Sequence, residues 1–447
     1  MMTKFKRLCA IVLAIVLCLC CGCNKDGGTS RKPGKIPAGN GVNDSYFDSI
    51  PVELDGTTVK FATWINHRAN ESADVLDDFT NLTGIDVEIV TITQEDYISK
   101  LASLVSAGQS PDVVVSNAEF PNILNVLTPL DDTILDATDS FWNQEIVKLG
   151  TVGGRPYLVN SVSSPWDMAS SCVYYNNKIF EDNGITTPAL YLQEGRWTLD
   201  NFFKCARELS QVCTEAGAGI ETGAYFSTYT SGMVNYDAAT GVFTSNLSDP
   251  DVTKVWQDII KAYEEGSVLF NDEGKRHLFV EGKIGMLFAG AYGLRKYGWM
   301  NDMDINDLAF VPVPRVDASS EQTYGGTSFR AYGICKGASN ADGAAYFLRY
   351  FLNADNYDEE KIYKNEAAAE LYKDLVKNQN YKNPLLDTSV MSLMATTSLP
   401  MQEIFPDLYK CSSSQVSTAL NSSANKLNSC ITRANMIIED VKKQNAK

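Results

Sequence analysis

Between Thr57 and Val115 the apolar residues switch repeatedly between a period of two and a period near that of a helix, and this alternation restricts the fold more than any other feature. Residues 59–64 (VKFATW) form a short β-rich run. Val75, Leu76, Phe79 and Leu82 then follow at helical spacing across 70–83, closed by Gly84. Ile85, Val87 and Ile89 alternate with Asp86 and Glu88 as a second strand, and 96–107 puts Tyr97, Leu101, Leu104 and Val105 on one helix face before Gly108. Pro111-Asp112 opens a third strand at 113–115. Strands joined through helices form a mostly parallel sheet covered by those helices, so the class is α/β.

The same grammar resumes further on. Residues 173–175 read as a strand, Trp197-Thr198-Leu199-Asp200 caps a helix carrying Phe202, Ala206 and Leu209, and Asp249-Pro250 starts another with Val255, Trp256, Ile259 and Tyr263 before Gly266. Further strands are expected at 284–288 and 308–313, then a helix over 341–353 and one amphipathic helix over 357–377, with more helix beyond Asn378. This is a second α/β lobe. A chain of 447 residues with 44% hydrophobic content can bury two such cores.

The formal net charge of -17 opposes nucleic-acid phosphates and anionic lipid surfaces, which removes a nucleic-acid partner. Two histidines, His67 and His277, are too few for a multi-His metal site. The six cysteines beyond the N-terminal segment, Cys172, Cys205, Cys213, Cys335, Cys411 and Cys430, show no metal-ligand spacing and suit small core residues, Cys411 with Cys430 being the one pair worth testing as a disulfide. Gly325-Gly326 lacks the context of a phosphate loop, so neither metal nor cofactor is expected.

At the N-terminus, Lys4, Lys6 and Arg7 precede an apolar or Cys run over 8–21, then Gly22 and Cys23, the layout of a secretory signal. The run is shorter than the roughly 20 residues that cross a bilayer. Its end resembles a bacterial lipobox, which makes Cys23 the expected lipidated first residue after a signal peptide of 1–22, with Cys21 as the alternative. Residues 24–45, rich in Gly, Pro and polar residues, then form a flexible tether within 23–55. The protein is therefore expected outside the cytoplasm, held to the cell membrane through lipid alone.

Five stretches carry a resemblance: Thr63-Trp64-Ile65-Asn66; SPDVVVSNAEFPNILNVLTPLDD at 110–132; the region from Gly153 to Phe202; FVEGKIGMLFAGAYGLRK at 279–296 with VPVP at 311–314; and GGTSFRAYGICKGASNADGAAYFLRYFL at 325–352. In this order they resemble the extracellular solute-binding proteins that feed ATP-binding-cassette importers, the branch that includes the maltose-binding protein. The resemblance covers about 57–353; beyond it only helicity is shared. It implies a two-lobed, periplasmic-binding-protein-like fold of type II, with crossing strands between the lobes and a ligand cleft that closes by hinge motion. Lobe one would comprise 57–165 with 309–355, and lobe two 166–308 with 356–447. The implied protein is a monomer that binds a sugar or oligosaccharide and delivers it to the transmembrane subunits of an importer.

Ligands of open α/β sheets lie beyond the carboxyl ends of the strands. Candidates there are Trp64, Asn66 and Arg68 after the first strand, Asn117 and Glu119 after the third, Trp166 and Asp167 at the crossing, Tyr292 after 286–290, and Thr327, Ser328 and Arg330. Flat rings pack on the apolar face of a sugar while planar polar groups take its hydroxyls, and the mixture favours a neutral sugar. Phe405 and Tyr409 are further aromatic candidates in lobe two. Trp142, Trp256, Tyr174 and Tyr175 fit the core better, and Asp131-Asp132 a solvated helix end. An exported carbohydrate-active enzyme is the rival class, for which Asp167 and Glu119 could be a carboxylate pair on paper; nothing marks them as a tuned dyad, so no catalysis is expected. A sugar sensor for a membrane receptor kinase would share the fold.

Overall fold

Strand β1 (Thr58–Thr63) is buried at Val59, Phe61, Ala62 and Thr63 because it runs through the middle of a sheet. The structure, a computed structural model, describes residues 45–48, 50–94, 96–116, 119–166, 171–221, 234–270, 275–296, 300, 302–318, 330–378, 407–408 and 410–447. These all fall in the second of the two units into which the chain divides, Met1–Ile36 and Pro37–Lys447. Helix α1 (Ala73–Thr83) buries Val75, Leu76 and Phe79 and ends at Gly84, whose φ of 75° is left-handed and where a Cβ would collide with the Asp55 carboxylate. Strand β2 (Asp86–Thr91), helix α2 (Tyr97–Ser106) and strand β3 (Val113–Ser116) complete two βα steps. Both β2 and β3 lie parallel to β1, with Thr58 opposite Asp86 and Phe61 opposite Val113.

Helix α3 (Gln144–Leu149) leads through the small hairpin of β4 (Thr151–Val152) and β5 (Arg155–Pro156) to the crossing at 157–166. The next segment holds β6 (Ser171–Asn176), α4 (Asn177–Asp182), α5 (Pro188–Gln193), α6 (Leu199–Leu209), β7 (Ala218–Ile220), the β8 (Val234–Asp237) and β9 (Val242–Ser245) hairpin, α7 (Pro250–Glu264), β10 (Val268–Leu269), α8 (Lys275–Val280), β11 (Met286–Gly290) and β12 (Leu308–Pro312). Thr198 caps α6 by accepting from the Asn201 amide, as the sequence predicts. A second sheet results, ordered β10-β7-β11-β6-β12. Strand β12 is antiparallel to β6, from Leu308 opposite Asn176 to Pro312 opposite Cys172, so a lobe boundary at 308/309 would cut through it; the return to the first sheet comes after Pro312.

That return is β13 (Ala331–Ile334), antiparallel to β3, which gives the first sheet the order β13-β3-β1-β2. Helix α9 (Ala341–Phe351) then lays Phe347 and Phe351 against Phe61 and Phe79. The single helix expected over 357–377 is broken into α10 (Glu359–Ile362) and α11 (Glu366–Asn378). The cause is a competing partner for the backbone: the Lys296 amide donates to the Ile362 carbonyl, and the Lys364 amide to the Leu294 carbonyl at 3.0 Å. Tyr263, expected on the inner face of α7, is 41% exposed.

Helix α12 (Val416–Asn445) packs on α7, β9 and the turn at Asn122–Val126. Asn435 accepts from the Phe243 amide at 2.8 Å and donates to its carbonyl at 3.0 Å. At the helix end Asn445 donates to the Val152 carbonyl and accepts from the Tyr157 hydroxyl, both at 2.8 Å. Cys411 and Cys430 are free thiols, Cys430 lying about four turns into α12 while Cys411 precedes it. No helix among the described residues is long and apolar enough to cross a membrane.

Asp112, fully buried, ties β1 to the start of α9. Its carboxylate accepts from the Lys60 amide and the Asn340 amide, each at 2.8 Å, and its carbonyl accepts from the Cys335 amide at 3.0 Å. Asp112→Ala would leave the buried Asn340 amide and the part-buried Lys60 amide without their acceptor, and urea unfolding should show a loss of about 2 to 4 kcal/mol. A loss below about 0.5 kcal/mol, the range of ordinary surface substitutions, would show that the tie is not structural.

Candidate ligand-binding site

The carboxyl ends of both sheets carry aromatic and charged side chains. After β1, the Trp64 ring stands edge-on to Tyr97, with ring centres 5.1 Å apart. Arg330 immediately precedes β13; since Ala331 lies opposite Ser116, Arg330 sits at the carboxyl end of β3. Its guanidinium carbon is 5.7 Å from the centre of the Trp64 ring, and the residue is only 5% exposed. Asn160, on the crossing, donates to the Arg330 carbonyl at 2.8 Å. Glu119, also buried, follows β3, and its carbonyl accepts from the Ile123 amide.

At the second sheet, β7 and β11 are parallel neighbours, so the residues that follow them meet. Glu221, after β7, accepts from Arg276 Nε at 2.5 Å, from the Gly290 amide at 3.3 Å and from the Tyr292 hydroxyl at 3.4 Å. The Arg276 guanidinium covers one face of Tyr292 at 4.8 Å. Tyr292 is thus a half-buried ring with its hydroxyl fixed and one face taken. Sequence reasoning missed Glu221 and Arg276. Glu221 did carry a signal, being the first charged residue after the apolar strand 218–220, at the end where ligands sit.

Two candidates belong elsewhere. Arg68 forms an ion pair with Asp77 and donates to the Val87 carbonyl at 3.0 Å, so it lies against α1 and β2 instead of reaching a ligand. Trp166 is 2% exposed: its ring stacks on Phe351, its indole N–H donates to the Tyr357 hydroxyl at 2.8 Å, and the Arg295 guanidinium lies 3.7 Å from its centre. It is core at the crossing. Asn66 is exposed and caps the turn His67–Ala69 by accepting from the Arg68 amide. Asn117, Asp167, Thr327, Ser328, Phe405 and Tyr409 lie outside the described residues. Trp142, Trp256, Tyr174 and Tyr175 are buried, as expected of core. No group of three metal-ligating side chains occurs among the described residues.

His67 lies beneath this edge, 1% exposed, stacked on Phe61, perpendicular to Trp166 with ring centres 4.6 Å apart, and with Nδ1 3.0 Å from Ser72 Oγ. Burial, followed by the positive charges of Arg330 and Arg295, holds its pKa well below the ordinary histidine value.

Two α/β lobes whose strand ends bear such groups define a two-lobed binding-protein architecture. The family described as bacterial extracellular solute-binding protein matches residues 66–358, well over half of the chain, and the chain belongs to that family. A diacetylchitobiose binding protein of Streptomyces coelicolor is 25% identical over 307 residues, covering 64% of this chain and 66% of that relative, just short of two thirds of its length. Among solved structures, the galacto-N-biose/lacto-N-biose I-binding protein of an ABC transporter from Bifidobacterium longum superposes with a TM-score of 0.63 at 14% identity, covering 85% of this chain and 98% of the other. The sugar-binding protein MalE of Xanthomonas citri gives 0.59 at 14% identity, over 86% and 99%. These likenesses establish the two-lobed fold.

The His67 environment has a measurable consequence. Folded, the imidazole stays neutral, whereas the unfolded chain takes up a proton below a pH of about 6.5, so its stability contribution is full above that pH and is lost as pH falls. Unfolding free energy should decline between about pH 7 and 5.5, by at most about 1.4 kcal/mol per unit for this one proton. His67→Gln should flatten that slope in urea titrations. An unchanged slope would mean that His67 protonates equally in both states.

Proposed function

We propose that this protein captures a sugar or oligosaccharide outside the cytoplasmic membrane and presents it to the permease of an ATP-binding-cassette importer. The observation that carries the reading is the pairing of ring and guanidinium at both sheet edges: Trp64 with Arg330 on one, Tyr292 braced by Glu221 and Arg276 on the other. A half-buried ring braced by a guanidinium and a fixed hydroxyl suits stacking on the C–H face of a sugar, and the polar groups around it can take hydroxyls. The relatives support the same chemistry, being named for diacetylchitobiose and lacto-N-biose. Glu119, Asn66, Asn117, Asp167, Thr327 and Ser328 remain the further polar candidates, with no catalytic role: a bound sugar should be returned intact. Cys23 is the proposed lipid attachment, leaving the acidic domain on its tether as a monomer.

Binding is tested by thermal shift across a panel of mono- and oligosaccharides, since a ligand held only by the folded state raises apparent stability. With a sugar so identified, Tyr292→Ala should weaken binding by roughly 5- to 150-fold, about 1 to 3 kcal/mol, with little change in unfolding of the unliganded protein. Unchanged affinity with a large drop in unfolding midpoint would make Tyr292 a core residue. Cys23→Ser should release the protein from the membrane fraction or leave its signal uncleaved; normal retention with the signal removed would refute the lipid anchor.

A further inference from the structure

An arginine withdrawn from water normally spends its five N–H groups and its charge on acceptors of the same protein. Arg295 sets its charge against Glu71 and the Pro165 carbonyl, although its Nη2 has no partner, and the partly exposed Arg276 sets its charge against Glu221. Arg330 does not. It is 5% exposed, its Nε is buried with no hydrogen-bond partner, and its guanidinium makes no ion pair with any described carboxylate, Glu119 at the same edge included. What touches the guanidinium is the Trp64 ring, with which it shares the carboxyl edge of the first sheet.

We propose that the ligand supplies the missing anion: Arg330 receives the carboxylate of an acidic sugar residue that stacks beside it on Trp64. This rests on the sugar-capture reading and narrows its substrate class to uronate-bearing saccharides. The chemistry distinguishes a carboxylate from a hydroxyl. A hydroxyl would take one N–H and leave the positive charge unmatched, whereas a carboxylate fits the planar fork with two parallel hydrogen bonds and cancels the charge. No ion pair among the described residues offsets this charge: Glu71 is taken by Arg295 and Glu221 by Arg276, the nearby Glu119 forms no ion pair with it, and His67 below is neutral, held so in part by this same arginine. The overall charge of -17 acts against an anion at long range, but such repulsion is screened beyond about 8 to 10 Å at physiological salt, whereas the contact at Arg330 is direct. The neutral sugar expected from the net charge and the mixture of candidate residues is thereby replaced by one whose charge is read at a single point.

The test is calorimetry on the full chain with matched pairs: di- and trigalacturonate against galactose oligomers of the same linkage, and glucuronate-capped xylotriose against xylotriose. In at least one pair the acidic member should bind about tenfold or more tightly than its neutral counterpart. Arg330→Gln should abolish that preference, leaving the two members of the pair within about threefold, and Arg330→Lys should restore part of it, since a lysine keeps the charge but not the fork. The unfolding midpoint of Arg330→Gln without ligand should be unchanged or raised, because the substitution removes a buried, unmatched charge. Equal or tighter binding of the neutral members, or an acidic preference that survives Arg330→Gln, would overturn the proposal while leaving sugar capture intact. Binding of no saccharide in these pairs or in the wider panel would overturn both.

Discussion

A guanidinium buried where the chain passes from one sheet to the other organises this molecule. Arg295 follows β11 of the second sheet, yet its side chain, 5% exposed, pairs with Glu71 at the start of α1 on the first. It also donates to the carbonyl of Pro165 on the crossing and lies over the Trp166 ring. Tyr372 of α11 reaches the same carbonyl, and Tyr357 receives the Trp166 N–H and passes its own proton to the Phe351 carbonyl at 2.8 Å. Losing one partner of such an ion pair costs about 3 to 5 kcal/mol, since the other charge stays buried and unmatched. The segments of both sheets that meet at the crossing are thereby tied to one another.

The same network explains what could and could not be read in the sequence. The βα steps were legible because each is decided within about 15 residues by period and by a terminator such as Gly84. Trp166 was not, because its burial depends on Phe351 and Tyr357, almost 200 positions away. Arg68 had the right address, just past a strand, but Asp77 and the Val87 carbonyl compete for it, and only the folded arrangement of α1 and β2 brings them within reach. The helix expected over 357–377 failed for a related reason: local periodicity was sound, but the chain at 362–364 pairs with backbone from 294–296.

At the candidate site the division is sharper. Trp64, Arg330 and Tyr292 could be placed by asking which residues follow strands, and the structure sets each at a carboxyl edge. Glu221 and Arg276 come together only because β7 lies beside β11, a register that no local pattern announces. Single residues at strand ends are legible; their company is not. The distinction between an arginine that is matched and one that is not belongs entirely to the second kind.

Helix α12 adds a mechanical consequence. At about 1.5 Å per residue its 30 residues run about 45 Å, from α7 beside the second sheet to Val152 and Tyr157 next to the first. A rod fastened at both ends cannot let the bodies it spans swing freely. Relative rotation of the sheets has to appear as sliding along its ridges or as bending between Asn435 and Asn445, a shear component added to whatever rotation occurs at the crossing. Relative motion of the two sheets is therefore limited by a helix that contributes no residue to the candidate site.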